Sequence, residues 1–339
     1  MTTAPVGAQK RRHTSPGSAD RSADRRRRPM TASRRANRAG LAFVSPTFVV
    51  VLVVVILPIL WTVLLAFQHA RLVDIQGMGL VGNWSLDNFT QVFDSAGFWS
   101  SLATTLLYTA GATLGSVLLG LVAALALRKP FRGRGLLRAA MLLPYVAPVV
   151  AVAFVWEVAL SPQYGVVNDW GHRLFGWDNP IAFLSTREYQ VNLLGAHFDI
   201  PLALLTVIAF ECWRYFPFAF LFILARLQAV PAGLEEAAMV DGATLTQRFR
   251  HILLPQLMPV IALLCVLRFI MTFNKFDDVY LLTGGGAGTN VAAVRVYDFL
   301  TARYDVGAAA AQALVLAASL MILLGFYFKF FGNKVQEES

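Results

Sequence analysis

Between Arg38 and Arg71 the chain carries no Lys, Arg, Asp or Glu. Within that stretch residues 42–67 are long enough, at about 1.5 Å per helical residue, to cover about 39 Å, which exceeds the ~30 Å hydrocarbon core of a bilayer. A backbone can cross lipid only if its own hydrogen bonds are closed, so such a run must be a helix. A secretory signal would need a shorter apolar core and a small-residue cleavage site, and neither is present. Five further runs follow, over about 99–127, 139–160, 201–225, 257–273 and 306–328. Charged residues make up only 14% of the chain and mean hydropathy is +0.58, as expected when lipid is the main solvent. The expected fold is an all-α membrane protein with a six-helix transmembrane bundle.

The net charge of +9 is concentrated at one end. Eleven Lys/Arg against Asp20 and Asp24 within residues 1–38 account for all of it. Without interleaved aromatics or a nucleic-acid-binding fold, this segment reads as a disordered basic tail beside anionic inner-leaflet lipid, with no nucleic acid as partner. Residues 39–332 form the membrane domain and 333–339 a second short tail.

Charge bias in the connections sets the orientation. The first carries Arg71 against Asp74, Asp87 and Asp94. The second carries Arg128, Lys129, Arg132, Arg134 and Arg138 without an acid, and the third carries five acids against Arg173 and Arg187. The second connection, the stretch 226–256 and both termini are therefore expected in the cytoplasm. The third connection is expected to be a small folded cap on the outer face, its tryptophans acting as interfacial anchors. Cys212 and Cys265 fall in apolar stretches and suit packing.

The stretch 230–255 reads as two short helices and a hinge. Pro231 suits a first turn, Gly242 a left-handed terminus, and Thr244 with Gln247 a capping box. Leu245, Phe249 and Ile252 fall on one face of the second helix, which is expected to end at Pro255. Spacing alone gives a helical elbow between the fourth and fifth spans. The run Glu236-Ala237-Ala238, Gly242, Ile252-Leu253-Leu254-Pro255 resembles the loop shared by permease subunits of binding-protein-dependent ABC importers. That resemblance implies a coupling elbow docked in a cleft of an ATPase subunit, formed by Glu235, Glu236, Ala237, Ala238, Asp241, Gly242, Phe249 and Pro255. It implies four kinds of partner: a second related permease, a dimer of ABC ATPase subunits, an extracytoplasmic solute-binding protein and the lipid bilayer. It also implies the plasma (inner) membrane of a prokaryote. ATP-Mg would sit on the ATPase subunits, with no cofactor or metal on this chain.

Leu142–Pro148, Leu227–Pro231 and Phe276–Gly286 are similar to the carbohydrate-uptake branch of that family, although Ala287 stands where proline is common. An amino-acid or peptide ABC permease is the alternative. A self-sufficient secondary transporter is a more distant one, since inverted repeats with broken helices are not evident.

Ionisable groups at membrane depth usually face a protein interior or a water-filled path. Glu211 and Arg214 lie on one helical face and are candidates to pair, with Arg268 as a second candidate partner. Lining the substrate route and locking two helices are both consistent with them. Trp213, Tyr215 and Phe216 suit either sugar stacking or packing. By resemblance Asn274, Asp277 and Tyr280 border the translocation cavity, although Asp277 also suits a loop cap. Pro144 and Pro148 are expected to kink the third span and free carbonyls that neighbours must satisfy. Gly111 and Gly115 are expected to form a packing face. The chain has no GxxxxGK[ST] loop, HExxH or GxSxG, so ATP hydrolysis would belong to another subunit.

Overall fold

The computed structural model describes residues 43–73, 84–193 and 196–336. The basic tail expected over 1–38 lies outside them. Residues up to Leu60 form one unit and residues from Trp61 another. The described part of the first unit is the helix from Phe43, with every side chain to Leu60 exposed.

Helix α1 runs Phe43–Ala66, α2 Asp87–Asp94 and α3 Phe98–Ala126. Helices α4 (Arg134–Val146) and α5 (Val149–Leu160) follow one another over the expected third span and are bent by 96° at the break between them. Then come α6 (Val166–Phe175), a hairpin of β1 (Tyr189–Leu193) and β2 (Ala196–Ile200), α7 (Leu202–Gln228) and α8 (Ala232–Val240). Helices α9 (Leu245–Phe273), α10 (Asp277–Thr283), α11 (Ala292–Thr301) and α12 (Val306–Gln336) complete the chain. Five helices are long and apolar enough to span a membrane, or six if the bent pair is one span. This matches the expected bundle. Among the described residues the third connection adds a short antiparallel hairpin to this helical bundle, Tyr189–Leu193 pairing with Ala196–Ile200.

The bundle is built around the pair α3 and α7. Lipid tails are as apolar as leucine, so helices here associate through close contact rather than expulsion of water. Small residues on α3 provide that contact. A Cβ added at Gly111 would press on Ile208, one at Gly115 would fall on Cys212 Sγ, and one at Gly120 would meet Ala219 and the backbone of Phe220. Gly120 extends the expected Gly111/Gly115 face by one further step. Leu107, Leu114 and Leu118 on α3 are exposed, as lipid-facing side chains must be. At one end of the seam a core of Ala123, Ala124, Phe220, Ile223, Leu227, Leu253 and Leu257 joins α3, α7 and α9. At the other, Tyr108, Phe210, Val279 and Val294 join α3 and α7 to α10 and α11.

Two prolines act differently from one another. Pro148 follows an extended Ala147 (ψ 143°), where the third span breaks, and Arg214 Nη1 donates to the freed Ala147 carbonyl at 3.3 Å. Pro144 stays within α4. Pro255 does not end the elbow's second helix, contrary to expectation. Residues Phe249–Leu253 form a π-turn just ahead of it, in which Leu254 N–H reaches back to Phe249 O. The wider turn shifts the ladder before the missing proline N–H, and α9 continues through it.

Candidate functional site

The elbow is a helix–turn–helix whose turn is set by local chemistry. Gly242 has φ +74°, its N–H donates to Met239 O, and Ala243 N–H donates to Ala238 O. These two bonds form a Schellman motif that closes α8 at Asp241. The capping box opens α9: Gln247 N–H donates to Thr244 Oγ1, and Thr244 N–H donates to Gln247 Oε1 at 2.8 Å.

The expected coupling residues divide between two faces. Glu236, Ala237, Asp241, Gly242 and Pro255 are exposed and Ala238 is half-buried. Glu235 and Phe249 instead turn toward the bundle. Phe249 packs on the core at this end, and Glu235 is held by both Arg128 nitrogens, Nη1 to Oε1 at 2.6 Å and Nη2 to Oε2 at 2.8 Å. Leu245, expected on one face with Phe249 and Ile252, is exposed. The second helix packs Phe249 inward, leaves Ile252 half-buried and keeps Leu245 exposed. Leu234, Met239 and Val240 are exposed beside it, Val240 at 88%. Amphipathic patterning had no use for Leu234, Met239 and Val240. Leucine, methionine and valine on a polar connecting helix were the signal that could have found them.

A second constellation is buried within the bundle. Arg268 on α9 and Glu211 on α7 are 1% and 0% exposed, and Nη2 donates to Oε1 at 2.8 Å. Ser116 accepts from Arg268 Nε at 3.4 Å, so α3, α7 and α9 meet at one point. The pairing of Glu211 with Arg214 does not form. Arg214 is drawn to the Ala147 carbonyl and faces Asp278 at 3.9 Å, leaving Glu211 to Arg268. Asp278 on α10 was not foreseen. It is fully buried, its cationic neighbours Lys275 and Arg214 stand off at 3.5 and 3.9 Å, and burial, then the adjacent Glu211, hold its carboxyl well above the usual carboxylate range. Lys275 also donates to the Tyr215 hydroxyl and pairs with Asp277 at 3.2 Å.

The remaining path candidates are scattered. Trp213 packs on Trp156 at 5.6 Å between ring centres. Asn274 is exposed and donates to Ile270 O of its own helix. Tyr280 stacks on Phe276 and meets the edge of Tyr297, with centroids 4.9 and 4.8 Å apart. The glycine-rich turn after α10 explains the missing proline. Ala287 lies at φ +49°, far from the value a proline ring imposes.

Residues 116–336 match the family model described as binding-protein-dependent transport system inner membrane component. The chain belongs to that family. Among curated relatives, the inner membrane ABC transporter permease protein YcjO of Escherichia coli K12 is 37% identical over 238 residues, covering 68% of this chain and 74% of the relative. The trehalose/maltose transport system permease protein MalF of Thermococcus litoralis is 32% identical over 292 residues, covering 86% and 92%. Among solved structures, a chain of a bacterial ABC transporter that imports the acidic polysaccharide alginate superposes with a TM-score of 0.73 at 21% identity, covering 88% of this chain and 96% of that one. The fold is thus that of an ABC importer permease, a multi-pass inner membrane protein.

Proposed function

We propose that this permease forms half of the translocation path of an ATP-driven sugar importer, paired with a second related permease. An extracytoplasmic solute-binding protein delivers the sugar at one end. A dimer of ABC ATPase subunits, carrying ATP-Mg, engages the elbow at the other end, with both termini of this chain in the cytoplasm.

The observation that carries this proposal is the elbow itself. An apolar tip of Leu234, Met239, Val240 and Leu245 beside exposed Glu236 is suited to enter a cleft in another protein, and Ala237 and Ala238 permit close approach. Orientation rests on the arginine-rich second connection, which lies with the elbow through Arg128 and Glu235. Sugar as cargo is supported by the similarity to a trehalose/maltose permease and by the motifs shared with the carbohydrate branch.

ATP closure draws the elbows together and biases the two permeases toward one conformation, while delivery of solute favours the same conformation from the other end. The test purifies the assembly in mild detergent. Glu236→Lys is expected to keep the membrane fold while losing ATPase subunits from the preparation and ATP-driven uptake from vesicles. Normal association and uptake by that variant would refute the docking role, and a cognate binding protein that retains amino acids rather than sugars would refute the cargo.

A further inference from the structure

An elbow that receives a push must pass it into the bundle, and α8 is poorly built to do so by packing. Among the described residues no side chain of α8 is buried, and apolar anchoring falls just outside it, at Val230 and Phe249. Its two chain connections run through Pro231 and through Gly242 at φ +74°, and both are backbone contacts that leave the face of α8 toward the bundle without apolar packing. Glu235 is the one α8 side chain with a recorded hydrogen bond or ion pair to another element among the described residues.

The far end of that contact is well fixed. Arg128 follows the last turn of α3, its carbonyl accepts from Arg134 Nη1 at 3.1 Å, and the Leu127 carbonyl accepts from Arg138 Nη2 at 2.9 Å. Helix α3 lies in close contact with α7 along Gly111, Gly115 and Gly120, so a displacement of α3 presses directly on α7. About 18 Å up α3 at 1.5 Å per residue, Ser116 touches Arg268 of the buried ion pair. Further along, Thr105 Oγ1 accepts from Ala292 N–H at the start of α11.

We propose that the Arg128–Glu235 pair is the strut that carries elbow movement into α3, and that Glu235 is a positioning residue facing its own subunit rather than the ATPase. A bidentate guanidinium–carboxylate contact resists both stretching and rotation, which a single hydrogen bond does not. Without it, α8 is tied to the bundle only through its chain connections, and ATP-driven movement is spent within the elbow. This rests on the docking function proposed above.

The test uses the full importer in vesicles and measures ATPase content, ATP hydrolysis and sugar uptake together. Arg128→Ala and Glu235→Gln are expected to retain the ATPase subunits and hydrolyse ATP, while sugar moved per ATP falls about tenfold. The exchanged pair Arg128→Glu with Glu235→Arg is expected to recover most of that ratio, which a general loss of stability would not allow. The strut is refuted if the single variants transport at the parental ratio, if the exchange fails to restore it, or if Glu235→Gln sheds ATPase subunits as Glu236→Lys does. Should Glu236→Lys itself keep its ATPase subunits, the docking function fails first, and the two failures are thereby distinguished.

Discussion

Replacing Gly120 by alanine tests whether α3 and α7 are in backbone contact. The new Cβ would stand 2.7 Å from Ala219 Cβ and 2.7 Å from the Phe220 backbone nitrogen. Comfortable carbon contacts lie near ~3.5–4.0 Å, so the helices must part by about 1 Å. Neither neighbour can rotate aside, because Ala219 has no rotamer and the nitrogen belongs to the main chain. Overpacking of this kind costs about 1–3 kcal/mol, set against a helix-propensity gain of about 1 kcal/mol for glycine to alanine. Gly325→Ala isolates the second term, since nothing lies within 4 Å of a Cβ there. Unfolding in mixed detergent micelles, followed by the fluorescence of the seven tryptophans, should therefore separate the two variants by about 1–3 kcal/mol, with Gly120→Ala the weaker. Equal stabilities, or a Gly120→Ala that gains as Gly325→Ala does, would refute backbone contact at the seam.

Gly115→Ala should cost less than Gly120→Ala, because the atom it meets is the rotatable Cys212 sulfur, and adding Cys212→Ala should remove most of the cost in the same unfolding assay. Glu211→Gln strips the partner from a buried Arg268 and should cost about 3–5 kcal/mol, while the double variant Glu211→Leu with Arg268→Met should be markedly more stable than that single variant. Gly242→Asn should retain ATPase subunits on purification and Gly242→Val should lose them. The space around Gly242 is open, so the left-handed backbone alone decides, and asparagine tolerates it. Ala287→Gly should gain up to about 1 kcal/mol in thermal unfolding and Ala287→Pro should lose stability, since φ is +49° there.

The sequence by itself determined that the chain is a bundle of long apolar helices, because a hydrocarbon slab makes long runs with few charges the workable pattern. Phe98–Ala126 and Leu202–Gln228 lie within three residues of where those runs place them. It also determined the elbow's turn, since Gly242 and the Thr244–Gln247 box act on neighbours a few residues away. The helix does not end at Pro255 because a π-turn over Phe249–Leu253 precedes it, a feature the spacing of residues does not announce. Tertiary structure decided which charges meet. Glu211 and Arg214 share a helix face, yet Arg268 lies nearer in space, and the carbonyl freed at Ala147 takes up Arg214. It likewise sent Glu235 inward and left Glu236 outside, although the two are adjacent in the chain and chemically alike. Local order follows from bonds spanning three or four residues. Partners brought together across 107 residues, as Arg128 and Glu235 are, depend on how the helices stack, and no stretch of sequence near either one contains that information.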